Sequence, residues 1–78
     1  MAKYGMYKYV VTGVSKKGLH PGDERVWSRE VNATDANDAK RAALSDWNDR
    51  FGPVHLFRPY AKRVGPASLT NLADWKEV

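Results

Sequence analysis

The sequence predicts a two-layer α+β fold, a ββαβ unit in which one helix packs on one face of a three-stranded sheet. Three observations predict it: two alternating runs, the first rich in aromatic and β-branched residues with both of its sides partly apolar, an alanine stripe at helical spacing, and an extended run after a Gly-Pro stop. The 78 residues, of which 42% are hydrophobic and 28% charged, suffice for one small core. We therefore expect a single domain rather than a two-domain enzyme.

The first two elements are predicted strands joined by a hairpin loop. Residues 6 to 15 alternate and are rich in aromatic and β-branched side chains, with Tyr7, Tyr9 and Val11 on one side. Residues 25 to 33 alternate again. Between the two runs, two glycines and a proline interrupt the pattern. This order predicts an antiparallel pair of strands.

The middle of the chain predicts one helix over residues 35 to 51. Thr34 or Asp35 supplies an N-cap oxygen, and Gly52 followed by Pro53 ends the helix. Small apolar residues and one large ring recur at spacings of three and four: Ala36, Ala39, Ala43 and Trp47. We expect Ala39, Ala43 and Trp47 to be buried, because small side chains let the helix lie close to the sheet.

A third strand is predicted over residues 54 to 64. Pro59 cannot donate a backbone hydrogen bond, so this strand lies at an edge of the sheet or bends there. The pattern after it, over residues 68 to 76, is compatible with one or two helical turns. The sequence thus predicts one ββαβ domain over residues 1 to 66, with residues 67 to 78 as a tail or short helix.

The positive charge is concentrated in the predicted strands and loops. Thirteen basic and nine acidic residues give a net charge of +4, and residues 52 to 67 hold three bases and no acid. Three Trp, four Tyr and two Phe exceed what so small a core needs, so we expect some rings to be exposed. Bases beside exposed rings suit an acidic protein groove or a phosphate backbone. The candidate partner-binding residues are Arg58, Lys62, Arg63, Arg25, Arg29, Lys16, Lys17 and Tyr60.

No pattern in the sequence indicates catalysis. Phosphate-loop, dinucleotide-binding, esterase and zinc-protease motifs are missing, Cys is absent, and His20 and His55 are the only histidines. We expect a protein that is not an enzyme and that needs no metal or cofactor. The sequence shows no apolar stretch of membrane-spanning length and no secretion signal, so we expect a cytoplasmic protein without a membrane partner.

The region from about residue 25 to residue 64 resembles two small families. The residues that carry the first resemblance are the segment from Val31 to Ala39, Ala43, Trp47, the stop Phe51-Gly52-Pro53 and the pair Arg58-Pro59. This pattern is similar to that of the short phage inhibitor of bacterial RNA polymerase found in short-tailed coliphages. The second family is the archaeal ribosomal protein LX, which matches at Glu30, Val31, Ala33, Asp38 and Ala39.

These resemblances imply two functions from different classes. The first implies a non-catalytic phage protein that inhibits a host nucleic-acid-processing machine, with RNA polymerase as the first candidate and a CRISPR effector as the next. Such a protein would bind a host protein complex in the host cytoplasm. The second implies a small basic RNA- or DNA-binding protein that associates with the ribosome. The sequence leaves the choice between a protein and a nucleic-acid partner open, and also the oligomeric state.

Overall fold

The computed structural model describes residues 6–16, 24–52, 54–67 and 72–78. Its elements follow in the order β1 (Tyr7–Lys16), β2 (Glu24–Ala33), α1 (Ala36–Phe51), β3 (Leu56–Pro66) and β4 (Lys76–Glu77). The sheet order is β3-β1-β2-β4, and each neighbouring pair is antiparallel. The predicted α+β class is confirmed, with β1 and β2 inside the sheet and β3 and β4 at its opposite edges.

The pairing of β1 with β2 defines the two faces of the sheet. The register runs without a break from the pair Tyr7 and Ala33 to the pair Lys16 and Glu24. Alternate residues of β1, such as Val11, are buried in one core with alanines of α1. We call the side of the sheet that carries α1 the helix face and the opposite side the open face. The alternation along β1 therefore places Tyr9 and Val11 on the helix face and Lys8, Val10, Thr12 and Val14 on the open face, as period-two strands require.

The helix begins and ends where the sequence predicts. Asp35 is the N-cap, and its carboxylate accepts a hydrogen bond of 2.8 Å from the backbone N–H of Asp38. Gly52 ends the helix at φ 53°, in the left-handed region that glycine tolerates, and its N–H donates to the carbonyl of Asn48. The buried residues of α1 are the three expected from the stripe: Ala39, Ala43 and Trp47.

Strand β3 is both an edge strand and an irregular one. Its pairing with β1 shifts register twice, once between Lys8 and Tyr9 and once between Thr12 and Val14. The second shift lies beside Pro59, so the alternatives of an edge position and a bend are both realised there. At this bulge Arg58 has φ 52°, a left-handed conformation that a side-chain-bearing residue seldom adopts.

A close approach between β1 and β3 explains the glycine inside β1. A Cβ atom on Gly13 would lie 2.5 Å from Cγ of Leu56, which is buried on the helix face. No side chain fits that space without displacing Leu56. Gly13 therefore lets β3 pack against β1 next to the bulge.

The prediction of three strands is wrong in its count, because the C-terminal tail adds β4. Residues 72–78 contain no helix, while residues 68–71 of the predicted turn lie outside the described residues. β4 pairs with the outer side of β2, with Glu77 opposite Trp27 and Lys76 opposite Ser28. Tertiary contacts described below hold this segment extended, and they override the helical spacing of its apolar residues.

Candidate functional site

The exposed bases of β3 form one edge of the sheet. We call Arg58, Lys62 and Arg63 the basic edge; all three side chains are exposed, and no other described strand pairs with the outer side of β3. Neither Lys62 nor Arg63 forms an ion pair with any residue in the described ranges. The residues that the sequence singled out in this strand therefore come together on one accessible edge.

The basic edge presents charge on both faces of the sheet. Lys62 pairs with Val10, whose side chain belongs to the open face. Arg63 pairs with Tyr9, which is buried on the helix face, and its guanidinium lies 4.7 Å from the ring centre of Tyr7. Two consecutive bases thus point to opposite sides of the same strand, as alternation along a strand demands.

Arg58 and Lys16 meet around a single acid at the other end of β3. The Arg58 side chain is 70% exposed and lies 3.7 Å from the carboxylate of Glu24. Lys16 lies 3.9 Å from the same carboxylate and 5.6 Å from the ring centre of Phe57. These are exposed ion pairs of small energetic value, about 0.2–1 kcal/mol each. One carboxylate faces two cations here, so a net positive charge remains.

Arg29 and Arg25 lie away from the basic edge and are held by acids. Arg29 is only 20% exposed in its side chain, lies 3.2 Å from Asp46, and also pairs with Asp74. Arg25 pairs with Glu77 of β4 at 3.5 Å. The sequence could not reveal these pairings, because both acids that the tail contributes are more than forty residues away along the chain. Lys17, the remaining predicted base, lies outside the described residues.

A compact cluster of charges fixes the tail to the body of the protein. We call Arg29, Asp46, Arg50 and Asp74 the ionic cluster; Arg50 lies 3.1 Å from Asp46 and pairs also with Asp74. The indole N–H of Trp75 donates a hydrogen bond of 2.7 Å to Asp46. The Nε atom of Arg29 is buried and has no hydrogen-bond partner among the described residues. The cluster joins β2, α1 and the tail, so its arrangement indicates a structural role.

The ionic cluster changes the protonation equilibria of two of its members. The backbone N–H of Trp75, followed by the guanidinium of Arg50, lowers the pKa of Asp74 below its usual value. The hydrogen bond from Arg50 to Asp74 is in turn the main reason why the pKa of Arg50 is raised. Both shifts favour the charged forms. Asp74 and Arg50 are therefore both charged at neutral pH.

The described aromatic residues include a packed group and an exposed pair, while Tyr9 is buried in the core between sheet and helix and Tyr7 lies beside Arg63. Trp47 lies at the centre of the group, with ring centres 4.1 Å from Phe51, 5.0 Å from Trp75 and 5.6 Å from Trp27. A pocket of about 330 Å³ opens beside Trp27, Trp47 and Phe51, with Arg25 and Glu77 among the residues that line it. The exposed pair are Phe57 and Tyr60 of β3, 43% and 63% exposed. Tyr60 was singled out from sequence, whereas Phe57 was missed; its place beside the basic residues was a usable signal.

Two further kinds of feature are missing from the described residues: a metal site and a membrane-spanning helix. Within residues 6–16, 24–52, 54–67 and 72–78, no cluster of three or more His, Cys, Asp or Glu side chains could hold a metal ion. None of the helical segments in these ranges has the length and apolar character needed to cross a membrane. No protein family, curated protein or solved structure matches this chain.

Proposed function

We propose that this chain is a non-catalytic binding protein whose basic edge enters an acidic groove on a protein complex that processes nucleic acid. A bacterial RNA polymerase is the first candidate partner and a CRISPR effector the next. The protein would act in the cytoplasm of the host cell that contains this complex. Binding would inhibit the complex by occupying the groove.

The observation that carries the proposal is the distribution of charge on β3. Because Lys62 and Arg63 project to opposite faces, and Arg58 lies at the bulge between Phe57 and Tyr60, the bases surround the edge instead of covering one flat side. A groove with two acidic walls is complementary to such an edge. The pairing of opposite charges across an interface gives specificity and speeds association.

The arrangement of the middle of the chain also supports the first candidate partner. The order of strand, alanine-rich helix with Trp47, and strand with the pair Arg58-Pro59 is the pattern that resembles the coliphage inhibitor of RNA polymerase. The helix places its small residues against the sheet and leaves β3 exposed at the edge. This scaffold suits a surface that is presented rigidly to a partner, since rigid elements hold contact residues more precisely than loops do.

The experiment is a direct binding measurement with purified RNA polymerase, combined with a transcription assay. The double variant Arg58→Glu/Arg63→Glu should weaken binding by at least about thirtyfold, equivalent to about 2 kcal/mol, and relieve inhibition accordingly. Arg41→Glu is the matched control, because Arg41 is an exposed base on α1 whose only described ion pair is with Asp38 of the same helix. It should bind as the unchanged chain does.

A pull-down from host lysate with and without nuclease treatment tests the kind of partner. Recovery of the same protein complex after nuclease treatment supports the proposal. Unchanged binding of the double variant would contradict the placement of the site on the basic edge. If capture is lost with nuclease, and the double variant weakens binding to many nucleic-acid sequences about equally, the alternative of a direct RNA or DNA binder replaces the proposal.

A further inference from the structure

The open face of the sheet carries the two most exposed rings of β3. Phe57 pairs with Val14 and Tyr60 pairs with Thr12. Both β1 residues alternate with the buried ones and so belong to the open face. Because residues paired across antiparallel strands share a face, Phe57 and Tyr60 project to the open face as well. The two rings thus occupy neighbouring positions on one strand, separated by the bulge.

The floor next to these rings is made of short side chains. Val10, Thr12 and Val14 of β1 are partly exposed on the open face, and α1 lies on the other side of the sheet. Aromatic side chains on one strand beside a row of short ones on the next leave room for a flat group above the sheet. Such a group would contact the rings of Phe57 and Tyr60 on one side.

The charge on this part of the open face is positive. Lys8, Lys16 and Lys62 belong to it by alternation and pairing, and neither β1 nor β3 contains an acidic residue. The nearest acids of the face are on β2. Of these, Glu24 lies beside Lys16, and Glu30 accepts a hydrogen bond from the backbone N–H of Ala73. The field over β1 and β3 therefore favours a polyanion.

We infer that the open face over β1 and β3 binds single-stranded nucleic acid, with one base stacked on Phe57, another on Tyr60, and phosphates near Lys62 and Lys16. Exposed rings on a positively charged sheet surface suit this ligand, because unpaired bases offer flat faces and the backbone offers regular negative charge. A duplex hides the faces of its bases inside the stack and cannot use these rings. This site shares Lys62 with the proposed protein contact, but it adds the two rings and Lys16 of the open face and does not use Arg63, which lies on the helix face.

The test uses the full chain and fluorescence anisotropy with labelled twelve-nucleotide oligo(dT) and oligo(U). Tyr60→Leu and Phe57→Leu should each weaken binding about tenfold, the usual loss when one stacked base loses its ring. Tyr7→Leu is the matched control, because Tyr7 is also partly exposed but belongs to the helix face. Its affinity should equal that of the unchanged chain. Circular dichroism melting curves verify that all three variants are folded.

A second pair of variants distinguishes the open-face side of the basic edge from its helix-face side. Lys62→Gln should reduce the slope of log affinity against log salt by about 0.7, the value for one lost contact to a single strand. Arg63→Gln should leave oligonucleotide binding unchanged, because Arg63 points to the helix face, although it should weaken the protein complex. Loss of protein binding in Arg63→Gln together with intact oligonucleotide binding would show that the oligonucleotide does not use the helix-face side of the basic edge.

Three results would overturn the inference. The first is no saturable binding to either oligonucleotide at low salt. The second is an equal loss for Tyr7→Leu and Tyr60→Leu, or equal affinity for duplex and single strand, because stacking on the open face would then not explain binding. The third is sedimentation showing a dimer that Phe57→Leu dissociates, which would assign the open face to a second copy of the chain.

Discussion

The basic residues near the two edges of the sheet differ in whether they have acidic partners. Near the β4 edge, Arg25 and Arg29 of β2 meet the acids Glu77 and Asp74 of the tail, and β4 pairs with β2 itself. At the β3 edge, no described strand covers the outside, and two of the three bases have no acidic partner in the described ranges. The first edge is satisfied internally, whereas the second is available to an external partner.

This difference shows that a basic residue becomes a binding candidate only after its acidic neighbours are known. In the sequence, Arg29 and Arg63 are equally plausible contacts, since both stand in predicted strands. The fold brings Asp46 and Asp74 to the first and leaves the second beside the ring of Tyr7. Availability is thus a property of tertiary structure that local composition does not contain.

The largest expected effect comes from a substitution in the contact between α1 and the sheet, on which both edges depend. Ala43 is completely buried in α1, so Ala43→Glu should lower the free energy of unfolding by at least about 3 kcal/mol, because a charge is buried without a partner in a close contact. Ala42→Glu, on the exposed side of the same helix, is the control and should change little. Urea titration followed by circular dichroism measures both. Equal stability of the two variants would show that the alanine stripe does not face the sheet.

A smaller effect distinguishes the β4 edge, where the tail packs, from the β3 edge. Trp75→Ala removes a half-buried ring from Trp47 and a hydrogen bond to Asp46, so unfolding should become easier by about 2 kcal/mol. Tyr60→Ala, at the β3 edge, should change stability by less than about 0.5 kcal/mol, because its side chain is mostly in solvent. Thermal melting of the two variants decides the point. A larger loss of stability for Tyr60→Ala than for Trp75→Ala would contradict the view that the structural contacts lie at the β4 edge and not at the β3 edge.

The smallest expected effect is a loss of stability in acid that arises from Asp74, near the β4 edge. The pKa of Asp74 is lowered in the folded protein, so its contribution to stability is complete at neutral pH. It is lost as pH falls below about 4, where an unperturbed aspartate takes up protons, towards the lower folded-state pKa. Asp74→Asn should therefore be less stable than the unchanged chain at pH 7, and the difference should shrink in strong acid.

The control for this titration is Asp49→Asn, which alters an exposed aspartate of α1. Its free energy of unfolding at pH 7 should be close to that of the unchanged chain. A difference for Asp74→Asn that stays constant between pH 7 and pH 2 would mean that the ionic cluster does not stabilise the tail through the charge of Asp74.

Local signals in the sequence were sufficient to predict the helix and the irregular edge strand β3. Asp35, the alanine stripe and Gly52 act through neighbouring atoms, so the helix could be predicted nearly residue by residue. Pro59 similarly predicted the edge position and irregularity of β3, because a missing N–H is a local fact. Where one residue decides a structure by its own chemistry, the prediction succeeds.

The fourth strand and the pairing of Arg29 depend on contacts between distant parts of the chain. β4 is only two residues long, too short for an alternating pattern, and it is held by Asp74 and Trp75 against residues of β2 and α1. The apolar pattern over residues 68 to 76 is compatible with helical turns as well as with an extended tail, because periodicity reports only which residues share a face. The missing information was the position of the partners, which no local pattern supplies.

The central position of β1 has a consequence for how the chain folds. β1 pairs with β2, which follows it closely in the sequence. It also pairs with β3, which is distant in the sequence, since Tyr7 lies opposite Pro66. Pairing distant segments requires the entropy of a large loop to be lost before the contacts form, which slows folding relative to a helical bundle of similar size. The basic edge therefore forms only when β3 has paired with β1, so the surface that a partner would meet depends on the contact that joins the two ends of the chain's main body.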